Sequence, residues 1–355
     1  MTGILSTLPR SLGLVMPAEW ERHQATWMSW PFDDEMWFGR LKAVRVEYEA
    51  LVRAIAKHET VNLLLRDGEA WTSATNSLSD AANIKFHPIP LDDVWMRDNG
   101  PIFVRRVVSE SKLKEPSFAY VNWGFNAWGN KYDSAKDNLV PERLAPTLGL
   151  PRFEPGIIME GGSLEVDGLG TCLTTKQCLL TPTRNPLLST ADLERYLSDY
   201  LGISKVIWLN NGLEGDHTDG HVDTITRFVA PGVVVTSVTD QKSDSNYLPM
   251  QENLEILRSQ VDARGLPLKV VELPLPKEPI HLEDGNRLPA TYANFYFVNG
   301  AVLVPQYGDV NDKKALAILQ SLLPEHRVVG LSSRNIIVGG GSFHCLTQQQ
   351  PEVSR

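Results

Sequence analysis

The chain has 355 residues, 42% hydrophobic and 22% charged, an ordinary globular profile long enough for one large domain or two smaller ones. Its formal net charge of −9 argues against nucleic acid as a partner, because phosphate binding needs a basic patch. No apolar run approaches a membrane span, residues 1–16 lack the sustained apolar stretch of a secretory signal, and three cysteines cannot build a disulfide framework, so the cytoplasm is the expected compartment.

Leu41, Val44, Tyr48, Leu51, Val52 and Ile55 fall at helical spacing, and residues 60–65 follow as a buried strand. The pairing recurs as helix 191–201 with strand 205–209, helix 254–261 with strand 268–273, and helix 313–323 with strand 327–331. Two hairpins are expected, one turning at Ala230-Pro231-Gly232 between strands 224–229 and 233–238. The other turns at Asn299-Gly300 between strands 295–298 and 301–304. No Gly/Ser linker interrupts the chain, and the Pro-rich loop 272–279 is closely flanked by regular elements, so a single α/β catalytic domain over residues 1–355 is expected.

Polar, Gly-rich clusters are expected where apolar strands end: Trp95-Met96-Arg97-Asp98, Glu160-Gly161-Gly162, Gly220-His221-Val222-Asp223, Tyr292-Ala293-Asn294 and Gly339 to Cys345. Their spacing of about 50 to 75 residues lies in the range of repeat and propeller architectures. It is equally the spacing of polar loops in any α/β protein.

Cys345 follows Gly339-Gly340-Gly341 and an expected strand over 335–338; glycines allow close backbone approach to a ligand, which makes this thiol the candidate nucleophile. His344 precedes it without having to face it. Cys172 and Cys178 lie among apolar and Thr residues and read as small buried hydrophobes. His221 and Asp223, two apart, share a face if the segment is a strand, and such a pair suits proton transfer beside cation binding. His217 and His221 also have the His-x3-His spacing of a metal site, but Gly215 and Gly220 oppose the helix that would give this spacing its geometry. Planar guanidinium groups favour carboxylates in their plane and aromatic faces above it, which Asp98, Asp223 and Trp95 offer. Glu160, at the end of an expected strand 156–159, is placed to orient His221 and raise its pKa.

At these motifs the chain resembles the agmatine deiminase family, relatives of the bacterial peptidylarginine deiminases within the guanidine-modifying (pentein) superfamily. The resemblance runs over nearly the whole chain. It starts with Pro17-Ala18-Glu19-Trp20, His23 and Trp30-Pro31, then takes in Trp95-Met96-Arg97-Asp98-Asn99-Gly100-Pro101 and Trp123-Gly124-Phe125-Asn126-Ala127-Trp128-Gly129. Glu160-Gly161-Gly162-Ser163, Gly220-His221-Val222-Asp223, Tyr292-Ala293-Asn294-Phe295 and the segment from Gly339 to Gln349 complete it. It implies a five-bladed, pseudo-fivefold α/β propeller with an axial site and no metal or organic cofactor. The implied roles are Cys345 as nucleophile, His221 as general acid/base with Glu160 as its partner, Asp98 and Asp223 as guanidinium clamps, and Trp95 and Asn294 as pocket residues. The implied reaction takes agmatine and water to N-carbamoylputrescine and ammonia through a covalent Cys345 amidino intermediate.

The agmatine-specific pattern has an acidic residue four positions before the catalytic His, to receive the substrate amine; here that position is His217. Asp219, Asp216 and Glu214 are alternative acceptors, and peptidyl-arginine or a free-arginine derivative stays open as substrate. Two other function classes remain at this stage: a metal-dependent hydrolase built on His217, His221 and Asp223, and a guanidinium-binding protein without catalysis. A small-molecule partner is expected, with neither nucleic acid nor membrane, and homo-oligomerisation is open.

Overall fold

The computed structural model describes residues 3–106 and 116–353. Its named strands form five separate sheets, three of three strands and two of four. One local order recurs: an antiparallel pair, then a strand parallel to the pair's second member. Glu165–Val166, Thr171–Thr175 and Lys205–Leu209 follow it. So do Thr226–Ala230, Val233–Val238 and Lys269–Pro274, and again Tyr296–Val298, Ala301–Gln306 and Arg327–Ser332. Ile102–Arg106, Phe118–Val121 and Arg152–Phe153 repeat it with Leu14–Val15 added at the edge. In the fifth sheet Gln348–Pro351 pairs antiparallel with His23–Ser29, which runs parallel to Thr60–Leu65, so strands from both ends of the chain share one sheet.

Parallel neighbours require a crossover. Helices Leu41–Ala56, Thr190–Leu201, Tyr247–Ser259 and Asp312–Leu322 provide four of them. The helix Leu41–Ala56 buries Val44, Tyr48, Leu51, Val52 and Ile55, the stripe read from the sequence. The helix Thr190–Leu201 opens with a Ser189/Asp192 capping box and closes at Gly202 in the left-handed region. No helix among the described residues is long and apolar enough to cross a membrane.

Two expected strands are absent, and the segment at His221–Asp223 is not a strand either. Residues 156–159 form only an isolated parallel bridge, Gly124 with Ile158, while the Asn185 side chain bonds the Ile158 N–H (3.0 Å) and carbonyl (2.8 Å). Ile336–Gly339 winds into a 3-10 turn. There Glu47 accepts from the N–H groups of Asn335 (2.8 Å) and Ile336 (3.0 Å), and Gly340, at φ +92°, ends the turn. Val222–Thr224 is also a 3-10 turn, closed when the Thr224 hydroxyl donates to the His221 carbonyl (2.8 Å), so His221 and Asp223 do not share a strand face. Single turns at Met96–Asn99 and Gly161–Ser163 complete the pattern. The five polar clusters therefore do not sit at strand ends as expected; each stands just before the first strand of an antiparallel pair.

Glu47 ties the helix Leu41–Ala56 to the approach of the Cys345 loop, accepting also from the Ser332 hydroxyl (2.6 Å) and the Asn335 amide (3.0 Å). Replacing it strands several donors at once. Glu47→Ala is expected to cost about 2–3 kcal/mol of stability in a denaturant titration. A loss within experimental error would show that this anchor is dispensable.

Candidate active site

The loops bring Asp98, Glu160, His221, Asp223, Asn294 and Cys345 together in the interior, each at most 5% exposed. The Cys345 sulfur lies 3.6 Å from Asp223 Oδ2 and accepts from the Asn294 amide at 3.2 Å. The Asn294 carbonyl oxygen in turn accepts from the N–H groups of Ser342 (3.2 Å), His344 (3.1 Å) and Cys345 (3.3 Å), which fixes the loop carrying the thiol. His221 Nδ1 stands 3.6 Å from Asp98 Oδ1, and its Nε2 stands 3.9 Å from Glu160 Oε2. Both are contacts too long for hydrogen bonds, and neither ring nitrogen has a hydrogen-bond partner. Asp98 accepts from the Gly162 N–H (2.9 Å) and from the Trp128 indole N–H (3.0 Å). Gly162 marks the centre of the group: a Cβ there would lie 2.5 Å from His221 Nδ1, 2.8 Å from Asp98 Oδ1 and 3.1 Å from Asp223 Oδ2. The absence of a side chain lets these three groups pack closely around the Gly162 backbone.

Charge is distributed unevenly. Burial pushes Asp98 up to about 6, aided by Asp223 and Glu160 and opposed by His221. Burial also works against Asp223, but His344, His221 and Arg227 outweigh it and hold that carboxyl below its usual range. Glu160 is likewise lowered against its burial, by His221 and Arg184. Burial opposes a charged His221, yet Asp98, Cys178 and Glu160 raise its pKa well above the ordinary histidine value. The Cys345 thiol is raised well above its ordinary value by burial and by Asp223 and Asp98.

Several residues in this arrangement were not singled out in the sequence. His344 does face the site: its Nδ1 lies 2.6 Å from Asp223 Oδ2 and its Nε2 2.6 Å from Glu19 Oε2. Glu19 also pairs with Arg227 (3.0 Å) and Arg97 (3.3 Å), and Arg227 pairs with Glu165 (2.8 Å). Arg184, with a fully buried side chain, donates to Glu160 Oε1 (2.8 Å) and the Thr218 carbonyl (2.8 Å), and it bonds Asp219. It therefore links Glu160 to the loop that delivers His221. Cys178 is buried, as read, but its sulfur lies 3.9 Å from Glu160 Oε2. Burial drew attention away from these groups, because an Arg or His in a mixed sequence gives no signal that it is internal.

A cavity of about 570 Å³ adjoins the group, with Trp95 and Trp128 in its lining. Trp128 contacts Asp98, and a Cβ on Gly341 would meet both Trp95 (2.7 Å) and the Cys345 sulfur (3.2 Å). Trp95 lines the cavity beside the Cys345 loop. His217 also lines the cavity, edge-on to Trp128 and Tyr132. Of the alternative acidic residues, Asp219 is paired with Lys131 and Arg184, and Asp216 accepts from the Thr218 hydroxyl and the His221 N–H. Glu214 reaches the cavity but pairs with Arg287.

His217, His221 and Asp223 do not converge as metal ligands. Among the described residues, the group of His, Cys and carboxylate ligand atoms that lie close enough to share an ion is Glu160, Cys178 and His221.

Comparison with known proteins agrees with this geometry. The chain is 39% identical to the agmatine deiminase of Pseudomonas aeruginosa strain LESB58, over 98% of both chains. It is 38% identical to that of Medicago truncatula, over 98% of this chain and 99% of the relative. The solved agmatine deiminase of Enterococcus faecalis superposes with a TM-score of 0.91 at 32% identity, over 98% of this chain and 99% of that one. The Porphyromonas-type peptidyl-arginine deiminase pattern matches residues 15–351, and the chain belongs to that family.

Proposed function

We propose that this chain is an agmatine deiminase, converting agmatine and water to N-carbamoylputrescine and ammonia. The observation that carries the reading is the buried grouping of a thiol, a His and three carboxylates packed around the Gly162 backbone. Identities of 38–39% to agmatine deiminases over nearly the whole chain supply the substrate. The recurrent sheet order supports the five-bladed propeller, each sheet being one blade and residues 1–355 one catalytic unit. The cavity suits a second cation: Glu35, Asp93 and Glu214 contribute carboxylates to its lining, and no Lys, Arg or His among the described residues forms an ion pair with Asp93.

In this reading Asp98 and Asp223 bind the guanidinium by charge-assisted hydrogen bonds. The bound cation offsets the two carboxylate charges that hold the Cys345 proton, so that proton leaves to solvent and the thiolate forms when substrate is present; the hydroxyl proton lost at the later C–S cleavage takes the same route. The thiolate attacks the central carbon, and His221 gives its proton to the departing nitrogen, which leaves as ammonia. His221 then takes a proton from water as the water attacks the amidino-thioether. Collapse breaks the C–S bond, leaving the ureido product and the free thiolate. Asn294 orients the sulfur, Glu160 stabilises charged His221, and Trp95 walls the pocket. No metal or organic cofactor is required by these steps.

Ammonia release from agmatine, free arginine and an arginine-containing peptide tests the substrate. Agmatine is expected to react fastest, and Cys345→Ala to lower its rate by roughly 10⁴-fold or more. Turnover of the peptide alone would overturn agmatine and keep the chemistry.

Asp98 binds substrate only as the anion. Its raised pKa of about 6 therefore predicts that kcat/KM rises with pH through about 6. A profile flat from pH 5 to 7 would contradict this.

Arg184→Gln removes the cation that helps keep Glu160 ionised, so the Glu160 pKa rises. The acid limb of kcat is expected to move to higher pH, with a rate loss of about 10²-fold and Arg184→Lys partly rescuing it. An unshifted pH profile would assign Arg184 a purely structural part.

A further inference from the structure

We infer that Glu160, Cys178 and His221 form a binding site for a thiophilic divalent cation of the zinc type, and that occupancy switches the enzyme off. The three side chains are buried, and each offers one ligand atom within 4.8 Å of the others. Glu160 Oε2 lies 3.9 Å from the Cys178 sulfur and 3.9 Å from His221 Nε2. A tetrahedral Zn²⁺ with bonds of about 2.0–2.3 Å spans ligand atoms roughly 3.3–3.8 Å apart, so the two Glu160 separations close with shifts of a few tenths of an ångström and the third, within 4.8 Å, with a shift of at most about 1.5 Å. The second observation is His221 itself: it is fully buried and neither ring nitrogen has a hydrogen-bond partner. A thiol, an imidazole and a carboxylate are the donor set that zinc favours over harder ions, and three protein ligands leave a fourth position for water.

Arg184 does not exclude the ion. It occupies Glu160 Oε1 and leaves Oε2 free. Zinc enters with two positive charges and displaces two protons, one from His221 and one from the Cys178 thiol, so the formal charge beside Arg184 is unchanged. The consequence for activity rests on the role given to His221 above: bound to zinc through Nε2, it can no longer carry the proton that ammonia needs. The binding itself does not depend on that role. Cys178 touches no reacting atom in the proposed steps, so the site regulates through a side chain outside the bond-making groups.

Zinc sulfate titrated against the full-length enzyme separates the two parts. Direct binding is measured on Cys345→Ala, which removes the other thiol of the active site. One zinc per chain is expected there, and none in Cys345→Ala combined with Cys178→Ala. Inhibition is measured on the enzyme with Cys345 intact, expecting reversal by a chelator. Cys178→Ala, scored against its own zinc-free rate, is expected to need more zinc by at least the roughly 10–100-fold that loss of an outer-shell partner costs. Cys178→Ser and the melting temperature of each variant guard against misfolding. Zinc binding absent from Cys345→Ala, or surviving unchanged in the double variant, overturns the site. Binding at the site without loss of activity overturns the assignment of His221 instead.

Discussion

The site depends on keeping a carboxylate ionised inside the protein. Desolvation alone drives a buried Asp to take up a proton, and several opposing charges or hydrogen bonds are needed to reverse it. Asp223 has them: His344 bonds it at 2.6 Å, and His344 is held in turn by Glu19, itself paired with Arg227 and Arg97. Asp98 has two neutral donors, the Gly162 N–H and the Trp128 indole, and the charge of His221 at 3.6 Å. One carboxyl falls below its usual range while the other rises to about 6. The two proposed clamps are therefore unequal before substrate arrives: Asp223 is held below its usual range and Asp98 is raised to about 6.

That inequality bears on the nucleophile. The charges that stabilise a guanidinium are the charges that hold a proton on Cys345, since Asp223 and Asp98 both raise its pKa. In the proposed reaction a bound guanidinium offsets this field, which makes the reactivity of the thiol depend on occupancy. His221 shows the complementary logic: Asp98, Cys178 and Glu160 raise its pKa, which favours the protonated form a general acid needs when the amine departs.

Much of this was legible in the sequence, and the rest failed for identifiable reasons. Helical spacing over Leu41 to Ile55 and the strands 60–65 and 205–209 matched the structure, because apolar periodicity is a strong local signal. The strand expected at 335–338 gave way to a turn held by Glu47, far along the chain, and 156–159 kept only an isolated bridge to Gly124 while Asn185 bonds Ile158. No local pattern carries such long-range substitutions. All seven residues read as site candidates lie in or beside one group, since each sat in a short motif dense in polar residues and glycine. Arg184, Glu19 and His344 act from behind those motifs. His344 was in view but its direction was not, because direction depends on how the Cys345 loop folds onto Asn294.

Glycine does more here than permit turns. At Gly162 the charged groups close in on the bare backbone, where even one methyl would touch His221, Asp98 and Asp223. Gly340 plays the same part at the cavity: a Cβ there would lie 2.0 Å from the His217 ring, and its φ of +92° disfavours any side chain. The ring that Gly340 admits occupies the position where the agmatine-specific pattern has an acid. The carboxylates that could receive a substrate amine are then those on the cavity wall, and Asp93 is the one there with least competition from neighbouring cations. Its pKa is raised well above normal by burial and by Asp137, the mark of a carboxyl whose cationic partner is not supplied by the protein.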